Sequence, residues 1–429
     1  MRNCGQWDIL YERQLAVSTA VRIEGCVSGV LKMLLLVNSP PWGSGTGEQY
    51  LRSLAAHLPQ GSLCRYSTVQ QATPGGHQEW VGFPSAVARL RSSALPILSS
   101  IAYGSFRLGG LERLLRDVIA FSERESPQLL WASLSSPAMY LLAHRVAASL
   151  NIPLVSSVLD PPGYLAANMR FDPFTRNSVR EEFSACLLAS RRVAVVSEEM
   201  AEEYGRDYGA VCTVIRSGIH PSLWAPERRV ELNPEELVIG FAGSMYGKSE
   251  WRALLRSIES TKGVLRGRRI RIRFVGRWPR LGVPRRDFVE HYQPVSPAEA
   301  IRLMSEVDLC YLPYWFDRRY AETVEMSFPS KLPAYVAAGR PVLYHGPAES
   351  TPARFLKRYP VGVSCHSNQP AALLEAIERC VWDTDLRRGY SAARSRALEV
   401  ELGLEAMVCG FADFLGVERS ELAPLRRAD

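Results

Sequence analysis

Two segments of the sequence combine residue types that bind phosphate groups. The first is SPPWGSGTGE at residues 39–48, in which Gly43, Gly45 and Gly47 follow a short apolar run. Glycines between a strand and a helix expose backbone N–H groups, and the N-terminus of a helix favours an anion. The spacing matches neither a P-loop nor the G-x-G-x-x-G fingerprint. A flexible turn is therefore as good an interpretation of this loop as a phosphate site.

The second segment is FPSKLPAYVAAGRPV at residues 328–342, which contains Pro329, Ser330 and Lys331. Its residue types predict a short helix that Ser330 caps and Gly339 ends. A lysine in the first helical turn opposes the helix dipole. It becomes favourable where a phosphate binds, held by exposed amides, the serine hydroxyl and the ammonium. A solvated lysine on an ordinary helix is the alternative.

Carboxylates and histidines offer fewer candidates. Asp160 ends an apolar run and precedes PPG, which predicts a carboxylate at the ligand-facing edge of a parallel sheet. We consider it a candidate catalytic base, with an Asx-type turn as the equally good alternative. His144 lies in a predicted helix and His345 follows a predicted strand, and we assign neither a role. No metal site and no cofactor are predicted.

The elements that must position these residues alternate between short apolar runs and helical patterns, which is typical of parallel α/β sheets. Helix starts are marked by Ser136 and Ser296, each followed by a proline. The predicted strands lie at residues 33–38, 129–134, 154–160, 192–197, 212–215, 237–243, 270–276, 307–312, 341–344 and 362–365. A polar segment at residues 221–236 interrupts the alternation and is the predicted domain boundary. The fold class is thus α/β, with two doubly wound Rossmann-like domains facing each other across a deep cleft.

Composition excludes several classes of protein. The chain has 429 residues, of which 47% are hydrophobic and 22% charged, so disorder and a small disulfide scaffold are excluded. A net charge of +7 fits an anionic ligand but is too small to predict a nucleic-acid partner. Nine scattered cysteines without a C-x-x-C pair indicate reduced thiols and a cytoplasmic protein. No apolar run approaches the ~18 residues that span a bilayer.

Several motifs in series resemble the GT-B glycosyltransferases, in particular the family 4 group that uses nucleotide sugars. They are residues 40–48, IPLVSSVLDP at 152–161, SEEM at 197–200, GFAGSMYGKS at 240–249, VDLCYLPY at 307–314 and the segment at 328–342. The resemblance covers most of the chain. It implies an acceptor-binding domain at 33–222, a donor-binding domain at 223–400 and a helical segment at 401–429 that packs back across the cleft. Residues 1–32 would be an extension or follow from a misplaced start.

The resemblance also implies a substrate, a nucleotide diphosphate sugar such as a UDP- or GDP-sugar, bound without a metal. The diphosphate would be held by Gly45, Gly47, Gly243, Ser244, Lys248, Ser330 and Lys331. Arg277 and Pro329 would line the donor cleft, and residues 292–295 would contact the base. Many members of the family retain the anomeric configuration, so we expect retention here.

The loss of both glutamates of a family motif leaves other functions open. The Glu-x7-Glu pair of the family falls on Met326 and Ala334, while Glu322 and Glu325 lie out of register. Our leading prediction is a glycosyltransferase of polysaccharide, glycolipid or glycosylated-metabolite synthesis. The alternatives are a catalytically degenerate nucleotide-sugar-binding protein and a nucleotide-sugar epimerase on the same fold.

Two basic regions bear on the partners. Residues 86–121 mix apolar side chains with five arginines (Arg89, Arg91, Arg107, Arg113 and Arg116), which is typical of a surface that lies on an anionic membrane. This region predicts peripheral membrane association near a lipid-linked acceptor, although packing in a core explains its apolar residues equally well. Residues 266–286 contain nine arginines and no acidic residue, and we interpret them as a solvated sheet edge or as a surface that pairs with its own domain.

Overall fold

The computed structural model describes residues 31–38, 45–68, 96–226, 233–279 and 285–423. The strands of the first domain are β1 (Met33–Val37), β2 (Leu63–Ser67), β3 (Leu129–Ser133), β4 (Leu154–Ser157), β5 (Ser190–Val195) and β6 (Cys212–Val214). Its helices are α1 (Thr46–Ala55), α2 (Pro96–Ser105), α3 (Leu111–Glu125), α4 (Pro137–Leu150), α5 (Pro162–Met169), α6 (Pro173–Ala189) and α7 (Glu198–Tyr208). A π-helical turn, Phe106–Gly110, joins α2 to α3.

The second domain repeats this plan. Its strands are β7 (Glu236–Ala242), β8 (Val264–Leu265), β9 (Arg268–Val275), β10 (Val289–Tyr292), β11 (Leu309–Pro313), β12 (Val342–His345) and β13 (Gly362–Cys365). Its helices are α8 (Lys248–Ser260), α9 (Pro297–Ser305), α10 (Ala321–Met326), α11 (Lys331–Ala337), α12 (Thr351–Arg358), α13 (Pro370–Trp382) and α14 (Thr384–Ala397). A second π-helical turn, Leu398–Leu402, leads into the last helix, α15 (Leu404–Leu415).

Each domain is built on one twisted sheet. The first sheet has the order β2-β1-β3-β4-β5-β6 with every pair parallel. The second has the order β10-β9-β7-β11-β12-β13, also parallel, and β8 pairs antiparallel with β9. Strands buried on both faces, such as β1 and β11, read as continuous apolar runs. The predicted α/β class with two Rossmann-like domains is confirmed.

Local chemistry explains where the helices begin. Ser136 Oγ accepts the Met139 N–H at 3.4 Å, and Ser296 Oγ accepts the Glu299 N–H at 3.2 Å, so both predicted caps are confirmed. The predicted Ser330 cap is wrong. Ser330 has helical backbone angles (φ −59°, ψ −14°) and its side chain makes no capping hydrogen bond. An N-cap needs extended backbone, which places the side-chain oxygen over the first free N–H groups.

The end of the chain returns to the first domain. Helix α15 buries Met407, Phe411 and Phe414 against the first sheet, where the Phe411 ring lies 5.2 Å from that of Trp131. Residues 1–30 of the predicted extension lie outside the described residues. Since α15 follows the second domain directly, its packing against the first sheet connects the two domains.

A partly buried group of charges also joins the domains. Arg216, on the first domain, is 7% exposed and donates to Glu401 at 2.5 Å and to Glu198. Glu401 also accepts hydrogen bonds from Arg358 at 2.7 Å and from the Tyr359 hydroxyl at 2.8 Å. Because each charge has a partner of opposite sign, the group is stable as a unit and costly to break at any one member.

Candidate active site

A cavity of about 690 Å³ lies between the two domains, at the carboxyl ends of the strands of both sheets. Asn38, Leu134 and Asp160 line it from the loops that follow β1, β3 and β4. Gly243 and Tyr314 line it from the loops that follow β7 and β11. In open α/β sheets this edge is where ligands bind. The cavity is therefore the candidate site.

Among the described residues that line the cavity, three are charged: Asp160, Arg216 and Lys331. Arg216 already has its two glutamate partners and packs at 4.5 Å from the centre of the Phe328 ring. Asp160 from the first domain and Lys331 from the second are the other two charged groups among the described lining residues.

Lys331 is a cation without a carboxylate partner. It begins α11, and its Nζ lies 3.9 Å from the centre of the Tyr246 ring and 5.6 Å from that of Phe241. Within the described part of the chain, no carboxylate lies within ion-pair distance of this ammonium. Burial lowers the pKa of Lys331 to about 7, because the low-polarity surroundings disfavour its charged form. An anionic ligand would restore that charge.

Gly243 makes room for this lysine. Its φ of +103° is unfavourable for other residues, and a Cβ there would lie 3.1 Å from Lys331 Cε. Its N–H donates to the Val275 carbonyl at 2.8 Å, which extends the pairing of β7 with β9. The expectation that Gly243 hydrogen-bonds a diphosphate is therefore corrected: its amide is already used. The neighbouring Ser244 is exposed and lines the cavity.

Asp160 is held from across the cleft. Its Oδ1 accepts a hydrogen bond from Ser327 Oγ, on the second domain, at 2.9 Å. Burial raises the pKa of Asp160, and the Ser327 hydroxyl acts in the opposite direction because it stabilises the carboxylate. The Ser327 carbonyl in turn accepts the Tyr314 hydroxyl at 3.0 Å, so the serine is fixed. A carboxyl group with a raised pKa at a cavity wall is suited to proton transfer.

The first glycine loop contributes less than the sequence predicts. The Gly45 N–H donates to Glu48 Oε2 at 3.0 Å, so a carboxylate occupies the amide that we expected to face a phosphate. Gly45 is not among the residues that line the cavity, whereas Gly47 is, next to Leu159. Gly43 lies outside the described residues.

The remaining predicted donor residues divide into two groups. Pro329 and Ser330 line the cavity beside Lys331. Lys248 is exposed at the start of α8 and Arg277 is exposed after β9, and neither is among the lining residues. Residues 292–295 are also not among them. The structure therefore brings together the segment at 328–331 with Ser244 and Gly47.

Both histidines considered in the sequence are held in structural contacts. The Tyr311 hydroxyl is 2.8 Å from His345 Nδ1, and Nε2 is 3.0 Å from the Ser367 carbonyl. Burial lowers the pKa of His345 to about 4, so it is neutral. His144 Nδ1 lies 3.0 Å from the Tyr140 carbonyl within α4.

The positions of the family glutamates carry no carboxylate. Met326 is buried, and Ala334 packs against the core of the second domain. Glu322 contacts Arg180 of the first domain at 3.4 Å and does not line the cavity. Asp160 is thus the one carboxylate among the described lining residues.

Sequence reasoning missed the aromatic side chains around Lys331. The Trp315 ring lies 4.7 Å from that of Tyr246 and 4.8 Å from that of Tyr320. Tyr164, from the first domain, is 6.1 Å from Trp315. Tyr164, Tyr246 and Trp315 all line the cavity but are distant in sequence, so only the folded chain shows that they share one wall.

The described residues offer no metal site: they contain no group of three or more His, Cys, Asp or Glu side chains placed to hold a metal ion. None of their helices is long and apolar enough to cross a membrane.

Two facing Rossmann-like domains with a cavity at their strand ends define the GT-B fold of the glycosyltransferases, and this chain has that fold. Sucrose-phosphate synthase from Thermosynechococcus elongatus is similar with a TM-score of 0.63 and 14% identity, over 88% of this chain and 96% of that one. Anabaena Alr3699/HepE, solved with UDP and glucose, has a TM-score of 0.61 and 14% identity over 90% and 99%.

WaaG, a glycosyltransferase involved in lipopolysaccharide biosynthesis, has a TM-score of 0.57 and 12% identity over 89% of this chain and 100% of that one. No protein-family model matches the sequence, and no curated protein matches it. At such low identities, the structural similarity establishes the fold alone. What the chain binds and transfers has to be argued from its own residues.

Proposed function

We propose that the protein is a glycosyltransferase that moves a sugar from a nucleotide diphosphate sugar to an acceptor in polysaccharide, glycolipid or glycosylated-metabolite synthesis. The observation that carries this proposal is Lys331, an ammonium in the cavity wall without a carboxylate partner. A charge removed from water is costly unless it is paired, and a diphosphate supplies the missing partner. HepE, which shares the fold, was solved with UDP and with UDP-glucose.

Transfer of a sugar requires stabilisation of the charge that develops on the departing nucleotide. Lys331 supplies a positive charge at that place, and the hydroxyls of Ser244 and Ser330 supply hydrogen bonds. Enclosure between the domains excludes water, which strengthens each of these interactions. We extend the proposal to a transfer that needs no metal and retains the anomeric configuration, to be tested by EDTA treatment and by NMR of the product.

Asp160 is the proposed base for the acceptor hydroxyl. It faces the cavity from the first domain, and the hydrogen bond from Ser327 stabilises its ionised form. A base acts when it is unprotonated and within reach of the proton that it takes up. We therefore expect Asp160→Asn to lower the rate of transfer while nucleotide binding is preserved.

Part of the basic region at 86–121 supports the prediction that the protein binds to a membrane surface. Residues 86–95, with Arg89 and Arg91, lie outside the described residues. In the described part, Leu98 and Ile101 of α2 and Leu108 of the π-helical turn are exposed, and Phe174 at the start of α6 is 87% exposed. Arg170 and Arg176 are exposed beside Phe174.

We propose that this apolar face rests on the anionic, cytoplasmic surface of a membrane. Wild-type protein should co-sediment with phosphatidylglycerol vesicles at low salt, and Phe174→Ser should reduce the bound fraction. Absence of co-sedimentation would refute the proposed membrane association.

A thermal-shift panel of UDP, GDP and their sugars tests the donor site. Binding stabilises the folded state in proportion to occupancy, so at least one nucleotide should raise the Tm of the wild type. Lys331→Ala should abolish the shift, whereas Lys357→Ala, which removes an exposed lysine of α12, should preserve it. If no nucleotide shifts the Tm, the proposal is wrong.

One observation keeps the degenerate alternative open. Met326 and Ala334 leave the cavity with Asp160 as its single described carboxylate, so a protein that binds nucleotide sugars without turnover has the same donor site. Tight binding without release of nucleotide, on any acceptor, would favour it. The described lining contains no histidine and no second carboxylate to act as the paired acid and base of an epimerase.

A further inference from the structure

The first-domain wall of the cavity is apolar where α2, α3 and α5 meet. Its side chains there are Tyr103, Phe106, Leu114, Leu165, Met169 and Phe171. Four of them, the first three and Phe171, are at most 7% exposed and belong to the core of that domain. A ligand that reaches this wall therefore meets a surface built like a protein interior, which favours apolar groups.

The polar groups on the same side are neutral. Asn38, Thr68, Ser133, Ser135 and Asn168 line the first-domain side with amides and hydroxyls. These groups hydrogen-bond alcohols and sugars, but they do not neutralise a phosphate.

The described residues of the cavity wall include no cation that is free to bind an anionic acceptor. Arg216, the one basic residue among the described first-domain lining residues, is committed to Glu198 and Glu401. Lys331, on the other domain, is the group that the nucleotide diphosphate needs. A phosphorylated acceptor would therefore bring a second set of negative charges close to Asp160, and the described lining residues offer no further cation to neutralise them.

We infer that the acceptor is an uncharged alcohol with an extended apolar part, which packs against this wall and presents its hydroxyl to Asp160. This inference rests on the proposed function, and it narrows the acceptor to a class that sugar phosphates do not belong to. Two sources share the chemistry: a lipid drawn from a membrane and a soluble apolar metabolite.

The test is a fluorescence titration of the full chain with N-phenyl-1-naphthylamine, a neutral apolar probe. We expect saturable binding, displacement by n-octyl glucoside below its micellar concentration, and no displacement by glucose 6-phosphate. Ala102 lines the cavity on the inner side of α2, so Ala102→Phe should weaken the probe at least tenfold. Ser105→Phe places the same ring on the exposed side of α2 and should leave binding unchanged.

The milder variant Ala102→Leu guards against misfolding, and it should weaken the probe by an intermediate factor. Displacement of the probe by glucose 6-phosphate, or equal probe binding in both Ala102 variants and the wild type, would overturn the inference. The Tm shift caused by UDP or GDP, measured on the same samples, distinguishes failure of the acceptor inference from failure of the proposed function. A nucleotide shift without a probe site refutes the acceptor class alone, whereas a probe site without any nucleotide shift refutes the proposed function and the acceptor role with it.

Assays with different acceptors then distinguish a membrane lipid from a soluble apolar metabolite. Consumption of the nucleotide sugar should rise with n-octanol or octyl glucoside if the acceptor is soluble. It should rise only with a long-chain alcohol in phosphatidylglycerol vesicles if the acceptor is a membrane lipid. A rise with glucose 6-phosphate and with neither alcohol would contradict the inference.

Discussion

The lowered pKa of Lys331 predicts that nucleotide-sugar binding takes up a proton. Burial places this pKa at about 7 in the free protein, and a bound diphosphate raises it again because the opposite charge favours the ammonium. Only the protonated form pairs with the diphosphate. Affinity should therefore fall as the pH rises through the pKa of the free protein.

The size of the effect follows from that pKa. About nine in ten Lys331 side chains are protonated at pH 6 and about one in eleven at pH 8. The dissociation constant should then be about tenfold higher at pH 8 than at pH 6, which corresponds to ~1.4 kcal/mol. A nucleotide sugar is the right ligand, because its diphosphate has no group that titrates in this range, unlike the terminal phosphate of UDP.

Isothermal titration calorimetry in HEPES and in Tris gives both the affinity and the number of protons taken up. We expect proton uptake to rise from nearly zero at pH 6 to nearly one at pH 8. In Lys331→Arg the guanidinium stays charged, so binding should lose its pH dependence. Equal affinities at pH 6 and pH 8 in the wild type, or the same pH dependence in Lys331→Ala, would refute the assignment of Lys331 as the cation that binds the diphosphate.

Three further changes follow from the same contacts. Lys331→Met removes a buried charge and should raise the free energy of unfolding at pH 7 by about 1–3 kcal/mol in urea denaturation, while it abolishes nucleotide binding. Gly243→Ala places a methyl group 3.1 Å from Lys331 Cε at a φ of +103°, so it should cost about 1–3 kcal/mol and weaken the nucleotide-induced Tm shift. Glu401→Gln removes one of the two carboxylates that Arg216 and Arg358 share, and Glu198 still pairs with both arginines. It should lower the unfolding free energy by about 1–3 kcal/mol in the same denaturation assay, and an unchanged midpoint would contradict the role of this ion group.

Much of the fold could be predicted because its strands are buried on both faces. Strand β13 has the bounds that the sequence predicts, and helix α4 begins directly after the predicted cap Ser136, at the proline that marks its start. Strands β2 and β10 escaped prediction because neither contains a continuous apolar run. Arg65 and Glu290 interrupt their apolar pattern, and pairing with β1 and β9 decides their conformation.

The site was predictable where one segment carries the chemistry and not where two segments meet. Lys331 stands out locally, because a lysine at the start of a helix needs an explanation. The hydrogen bond between Ser327 and Asp160 joins residues 167 positions apart, and no local pattern reports it. The sequence did contain a signal against a phosphate at Gly45. Glu48, three residues later, is placed to accept a hydrogen bond from the Gly45 amide in the manner of a capping box.

The most direct test of the account is the release of nucleoside diphosphate from UDP- and GDP-sugars, with and without an uncharged apolar alcohol. The account predicts slow release by the wild type, faster release with the alcohol, loss of release in folded Lys331→Ala and normal release in Lys357→Ala. No release from any donor, or equal release by Lys331→Ala and the wild type, would contradict it.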